Sequence, residues 1–208
     1  DIMKEQIKFY SNLLSSEGWD ENEAEKLLDN VNNTVSESER TMCEAKISEN
    51  EVSSAIRQLK LDKSPGEDGI TAEFYKKYWP LIHEELMMVI DEIEEKNTLC
   101  DSMYRGVISL LYKAGDRDNI KNWRPISLLN IDYKIIAKVL ADRLKKVLPN
   151  IINPDQKACI KGRQVTETVR LIQDLIVKAD MEQLDGAIIF LDQEKAFDRL
   201  SMVIYWHV

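Results

Sequence analysis

The sequence predicts an α+β fold that is mostly helical, and three patterns carry that reading. Two capping boxes, Ser36 with Glu39 and Ser48 with Glu51, stand ahead of helix-forming stretches. Two short β-prone runs, 105–113 and 125–129, flank a polar segment. A further apolar run, 187–191 (AIIFL), follows Gly186 and ends at Asp192. Its length and β-branched content suit a buried strand.

Taken in order, residues 1–45 are polar and acidic and read as two or three helical pieces. Ile7, Phe9, Tyr10, Leu13 and Leu14 make one apolar stripe there, and Leu27, Leu28 and Val31 another. No chemistry is evident in this segment. After Ser48, Val52, Ala55, Ile56 and Leu59 recur at i, i+3, i+4, i+7, so a helix is expected that ends before Ser64-Pro65-Gly66. An amphipathic stretch from about Thr71 to Lys96 turns Leu86, Val89, Ile90 and Ile93 inward, with an interruption expected near Pro80. The runs 105–113 and 125–129, with 114–123 as the loop, predict a hairpin. Asp132 is expected to cap a helix to Leu148, with Ile135, Ile136, Val139, Leu140 and Leu144 inward and Pro149 as its stop. A loop over 154–163 and a helix over about 165–181 follow, and no internal repeat is visible.

At 208 residues the chain has room for one domain, or one domain with an extension. No apolar run approaches the ~20 residues a membrane helix needs. No signal-peptide pattern opens the chain, and its start, Asp1-Ile2-Met3, reads as internal to a longer product. Cys43, Cys100 and Cys159 are far apart, form no CxxC pair and lie near neither His83 nor His207. That argues against zinc and for reduced thiols.

The net charge of −9 argues at first against nucleic acid. Its distribution reverses the inference. Residues 1–104 carry 11 basic and 24 acidic side chains, whereas 105–170 carry 14 basic and only 6 acidic. Such asymmetry fits an acidic outer region and a basic working surface. The same lysines also read as the solvated faces of helices.

Asp192 is the most suggestive single residue. A carboxylate where a buried strand meets solvent is well placed for Mg²⁺, a hard cation that takes carboxylate and phosphate oxygens. An aspartate after a strand also serves as a turn or cap residue, and this segment alone leaves both readings open.

Four ordered blocks decide between them. KSPGEDGITAEFYKKYWP (63–80), NWRPISLLNIDYKIIAKVLADRLKKVLP (122–149) and PDQKACIKGRQ (154–164) precede FLDQEKAFD (190–198). This series resembles the reverse transcriptase domain of non-LTR (LINE-type) retrotransposons over about residues 46–205. The resemblance implies part of the right-hand polymerase fold, the fingers plus the start of the palm. Residues 1–45 would then be a helical N-terminal extension and 46–208 a truncated polymerase domain. It also implies RNA-templated DNA synthesis with Mg²⁺, an RNA template, a DNA primer and deoxynucleotides. The implied setting is intracellular, in cytoplasm or nucleus, with no membrane partner.

Carried over residue by residue, the resemblance makes Asp192 a catalytic metal ligand, with the backbone carbonyl of Gln193 beside it. Phe197 matches a steric gate that excludes the ribose 2′-hydroxyl; it also reads as a core aromatic. Lys113 and Arg124 match cations that bind the incoming triphosphate, where Arg forks onto phosphate oxygens and Lys supplies a point charge. Ordinary surface charge is the plainer alternative. Lys63 and Gly66 match the block that approaches the template, although a structural turn would look the same. Gln156, Gly162 and Arg163 match a template-contacting loop, with Lys157 and Lys161 solvated. The family usually has Gly and an aromatic where Ala158 and Cys159 stand, so strain is expected at Ala158 if its position needs a positive φ.

The family's second catalytic block, an aromatic-x-Asp-Asp turn, does not occur in these 208 residues. One carboxylate does not position two metal ions. The chain by itself is therefore expected to be catalytically inert. A non-catalytic RNA or RNA–DNA binding remnant is the alternative role, and a helical scaffold with a merely solvated basic face is a third.

Overall fold

A computed structural model of the chain describes residues 2–15, 18, 22, 25, 26, 29 and 33–192. The described residues include α1 (Ile2–Leu14), α2 (Glu37–Glu44), α3 (Glu49–Gln58), α4 (Ala72–Lys96), β1 (Gly106–Tyr112), β2 (Trp123–Leu129), α5 (Ile131–Ile151) and α6 (Val165–Glu182), with short 3-10 turns at Asp101–Tyr104 and Ile120–Asn122. The mostly helical α+β expectation holds. Two compact units divide the chain: Val35–Leu148, and Asp1–Thr34 together with Pro149–Val208.

The first unit is built on two capping boxes. The Ser36 hydroxyl accepts from the Glu39 N–H and the Glu39 carboxylate accepts from the Ser36 N–H. Ser48 and Glu51 repeat the arrangement at α3. Each box satisfies donors that a helix start otherwise leaves orphaned. Val52, Ala55 and Ile56 of α3 then bury against Tyr75, Leu86 and Ile90 of α4 and Ile131, Ile135 and Val139 of α5, in one core.

α4 corrects the expected break at Pro80. The helix runs unbroken through it. Pro80 removes one N–H, but Ala72 and Tyr75 before it and Leu86 and Ile90 after it lie in one core. Burial on both sides outweighs one lost backbone bond.

α5 departs from expectation in three ways. It starts at Ile131, with the Asn130 carbonyl accepting the first helical bond, from the Lys134 N–H, so Asp132 is inside the first turn and is not its cap. It runs past Pro149 to Ile151. Its inward row is Ile131, Ile135, Val139, Arg143 and Val147, while Leu140 and Leu144 are about half exposed. The i+4 ridge takes precedence over residue type because Arg143 finds full compensation. Its guanidinium forks onto Glu51 at 2.8 Å on both arms and donates to the carbonyls of Cys43, Ala45 and Lys46. The fork holds the Glu51 carboxyl down at about 2. A buried charge with every donor used is the condition under which burial is tolerated.

β1 and β2 form the antiparallel hairpin, in the register Gly106↔Leu129 to Tyr112↔Trp123. β2 begins two residues earlier than expected, at Trp123.

In the second unit, Phe9, Tyr10 and Leu13 of α1 are half-buried, while Ile7 and Leu14 of the expected stripe are exposed. The expected stripe at Leu27, Leu28 and Val31 lies outside the described residues. α6 buries no residue. Residues 184–192 follow in no regular structure. The expected buried strand over 187–191 is therefore not formed: Ile188 is 50% exposed and Leu191 92%. A strand is defined by a hydrogen-bonded neighbour, and no described segment pairs with this one.

Candidate nucleotide and nucleic-acid surface

The hairpin register assigns each side chain to a face. Leu111 is opposite Arg124, and the Lys113 N–H donates to the Asn122 carbonyl at 2.9 Å, so pairing continues one step further. Lys113 and Arg124 are thus diagonal neighbours on one face. Both are exposed, and neither has an ion-pair partner among the described residues. Side-chain reach lets two such cations meet one phosphate chain.

The opposite face fixes the loop. Tyr112 and Trp123 meet edge to face at 5.5 Å, and the Arg117 guanidinium lies 4.9 Å over the Tyr112 ring. The Trp123 indole donates to the Arg117 carbonyl at 2.8 Å, and Asn122, the partner of Lys113 in the ladder, ties the loop further by donating to the Asp116 carbonyl at 2.7 Å. Arg117 is thereby turned away from the Lys113–Arg124 face. Sequence reading missed this cluster, although an aromatic at each end of a polar loop was the available signal.

At the hairpin's base, Asn130 is a buried hub. Its side chain accepts from the Asp68 N–H at 3.5 Å and donates to the Ser102 carbonyl at 3.2 Å. A Cβ on Gly66 would come within 2.0 Å of the Asn130 side-chain oxygen and 2.5 Å of the Asn130 backbone nitrogen. The close approach that Gly66 permits is therefore to the chain's own β2–α5 junction. Lys63, three residues earlier, is exposed. Nearby, burial pushes the Tyr75 hydroxyl up to about 12, with the charges of Asp132 and Asp68 adding to it. Burial likewise raises the Asp132 carboxyl above its ordinary range.

The loop after α5 is organised by Arg163. One guanidinium nitrogen donates to the carbonyls of Pro149 and Ile152, the other to those of Asn153 and Gln156. These oxygens cluster at the negative end of α5, where a cation is favoured. Arg163 shapes the loop that presents the Gln156 side chain, Lys161 and Gly162. Lys157 is not simply solvated, since it pairs with Glu167 at 2.7 Å. Ala158 does not take a positive φ, so the conditional strain does not arise there; Cys159 holds φ at +63° and Gly162 at +84°.

Asp192 is exposed at the end of the 184–192 segment, and Gln193 and Phe197 lie outside the described residues. Among the described residues no three His, Cys, Asp or Glu side chains are grouped to hold a metal. The described residues alone do not fit a divalent cation, because a single carboxylate leaves most of its coordination sphere unfilled.

Residues 112–207 match the family model for reverse transcriptase (RNA-dependent DNA polymerase). The chain is 43% identical over 193 residues to the transposon TX1 uncharacterized 149 kDa protein of Xenopus laevis, covering 93% of this chain and 15% of that protein. It is 27% identical over 161 residues to the probable RNA-directed DNA polymerase from transposon BS of Drosophila melanogaster, covering 76% and 17%. It is 28% identical over 159 residues to the retrovirus-related Pol polyprotein from type-1 retrotransposable element R2 of Popillia japonica, covering 74% and 21%. The chain thus spans about a fifth or less of the length of these relatives. The four motif blocks, the hairpin between them and these matches agree: the chain belongs to the reverse transcriptase family, in its non-LTR retrotransposon branch.

Proposed function

We propose that these residues are the fingers and the first palm motif of an RNA-directed DNA polymerase that copies retrotransposon RNA into DNA. The observation that carries the reading is the exposed hairpin face on which Lys113 and Arg124 are diagonal neighbours, inside or beside the stretch matching the family. In this reading the two cations hold the triphosphate of a deoxynucleotide, and Phe197 selects deoxyribose. Asp192, with the Gln193 carbonyl, supplies one share of the ligands of a Mg²⁺ site whose other ligands come from elsewhere in the polymerase. Lys63 in the first unit, and separately the 154–163 loop in the second through Gln156, Lys161 and Gly162, each contribute a contact to template backbone, and Arg163 keeps that loop in shape.

The excess of 14 basic over 6 acidic residues in 105–170 supports weak, sequence-independent affinity for an RNA–DNA hybrid even without catalysis. Fluorescence anisotropy with a labelled hybrid tests this. The expected result is binding that weakens steeply with salt and falls about tenfold in the double variant Lys113→Glu, Arg124→Glu. Binding that ignores salt and both substitutions would count against the proposed surface.

A further inference from the structure

We propose that the solvent face of α4 is a self-association surface, which pairs antiparallel with the same face of a second copy of this chain about a two-fold axis at Leu81. α4 buries Ala72, Tyr75, Leu86 and Ile90 on one side. The other side ought to be polar. It carries instead Phe74 (40% exposed), Tyr78 (38%), Leu81 (74%) and Met88 (70%). Single exposed apolar residues are ordinary. Four of them at i, i+4, i+7 and i+14 lie along one side of the helix, with Glu85 at i+11 between Leu81 and Met88, at the spacing that helices use to pack on one another. Phe74 and Tyr78 already meet at 5.0 Å, their rings tilted by 44°, at its N-terminal end.

The charges along the seam choose the occupant and its direction. Lys77 is in the N-terminal half, and Glu84 and Glu85 are in the C-terminal half. Lys77 lies over the Tyr78 ring at 5.6 Å. None of the three has an ion-pair partner among the described residues. Lys76, by contrast, is already committed to the Arg57 carbonyl. A two-fold contact must be complementary to itself. Reversing α4 about Leu81 achieves that. Phe74 meets Met88 of the second copy, seven positions from the axis on either side. Lys77 meets Glu85, four positions away, and Leu81 meets itself. A parallel pair would set Lys77 against Lys77 and Glu85 against Glu85, which like-charge repulsion disfavours.

A single helix pair is a small interface, so the dimer is expected to be weak, with a Kd on the order of 10 µM. Sedimentation equilibrium of the 208-residue chain over about 2–200 µM reads it directly. The mass is expected to rise from one chain to two across that range. Leu81→Glu places two carboxylates on the axis and is expected to give a monomer with unchanged far-UV circular dichroism. Lys77→Glu and Glu85→Lys are each expected to weaken the dimer about tenfold, and the double reversal to restore it. A monomer at every concentration would overturn the proposal and leave the seam to another protein. A dimer that survives Leu81→Glu, or a double reversal that fails to restore it, would overturn it equally.

Discussion

Arg143 shows how a residue type misleads when read without its partners. At an i+4 position of α5 it reads as surface charge, yet it is 4% exposed and ties α5 to the end of α2 and the segment that follows it. The pairing has a pH signature. Glu51 drops from an ordinary 4.5 to about 2 in the folded chain, mainly through its bonds to Arg143. A carboxyl with a lowered folded value stabilises above its unfolded value and loses that contribution as pH falls toward the folded one. Stability is therefore expected to fall by on the order of 2 kcal/mol between about pH 5 and pH 2 through this pair. Urea unfolding followed against pH should show that fall, and Glu51→Gln should flatten it. A variant with the wild-type pH profile would remove the pair from the account. Cys159 is the second instructive residue. It holds φ at +63°, where a side chain is strained. Cys159→Gly is expected to raise stability by about 0.5–1 kcal/mol in urea unfolding, and a loss would mean that its side-chain contacts matter more than its backbone.

At the scale of elements, legibility tracked how local the cause was. Both capping boxes, α3 and the hairpin were readable because serine–glutamate spacing and β-prone runs act within a few residues. Boundaries governed by distant partners were not. α4 passes Pro80 because core packing lies on both sides, and α5 passes Pro149, whose carbonyl is capped by Arg163, fourteen residues on. The run 187–191 has strand-forming residues but no described neighbour to bond with. Its amides are expected to exchange within seconds in native-state hydrogen exchange, while those of α3 stay protected. Protection of 187–191 equal to that of α3 would show a pairing partner that the structure lacks. The candidate site divides in the same way. The residue types of Lys113 and Arg124 were legible, and the register added that they share a face. The turn toward the β2–α5 junction at Gly66 was invisible without Asn130, whose place just before a helix was its only signal.

For the whole molecule, family and charge distribution point the same way. The chain is acidic at −9, yet its cations concentrate in 105–170, which holds the hairpin, α5 and the loop organised by Arg163. Net charge alone argues against nucleic acid, whereas the ordered motif blocks place the chain in the reverse transcriptase family. In the proposed function, these residues contribute the fingers and one metal-binding carboxylate to an RNA-copying polymerase. Primer extension on an RNA template with Mg²⁺ and deoxynucleotides tests it most directly. The assay uses a polypeptide carrying these residues together with the rest of a reverse transcriptase, run beside Asp192→Ala. Extension lost by roughly a thousandfold or more in the variant is the predicted result. Equal extension by the two proteins would contradict the account.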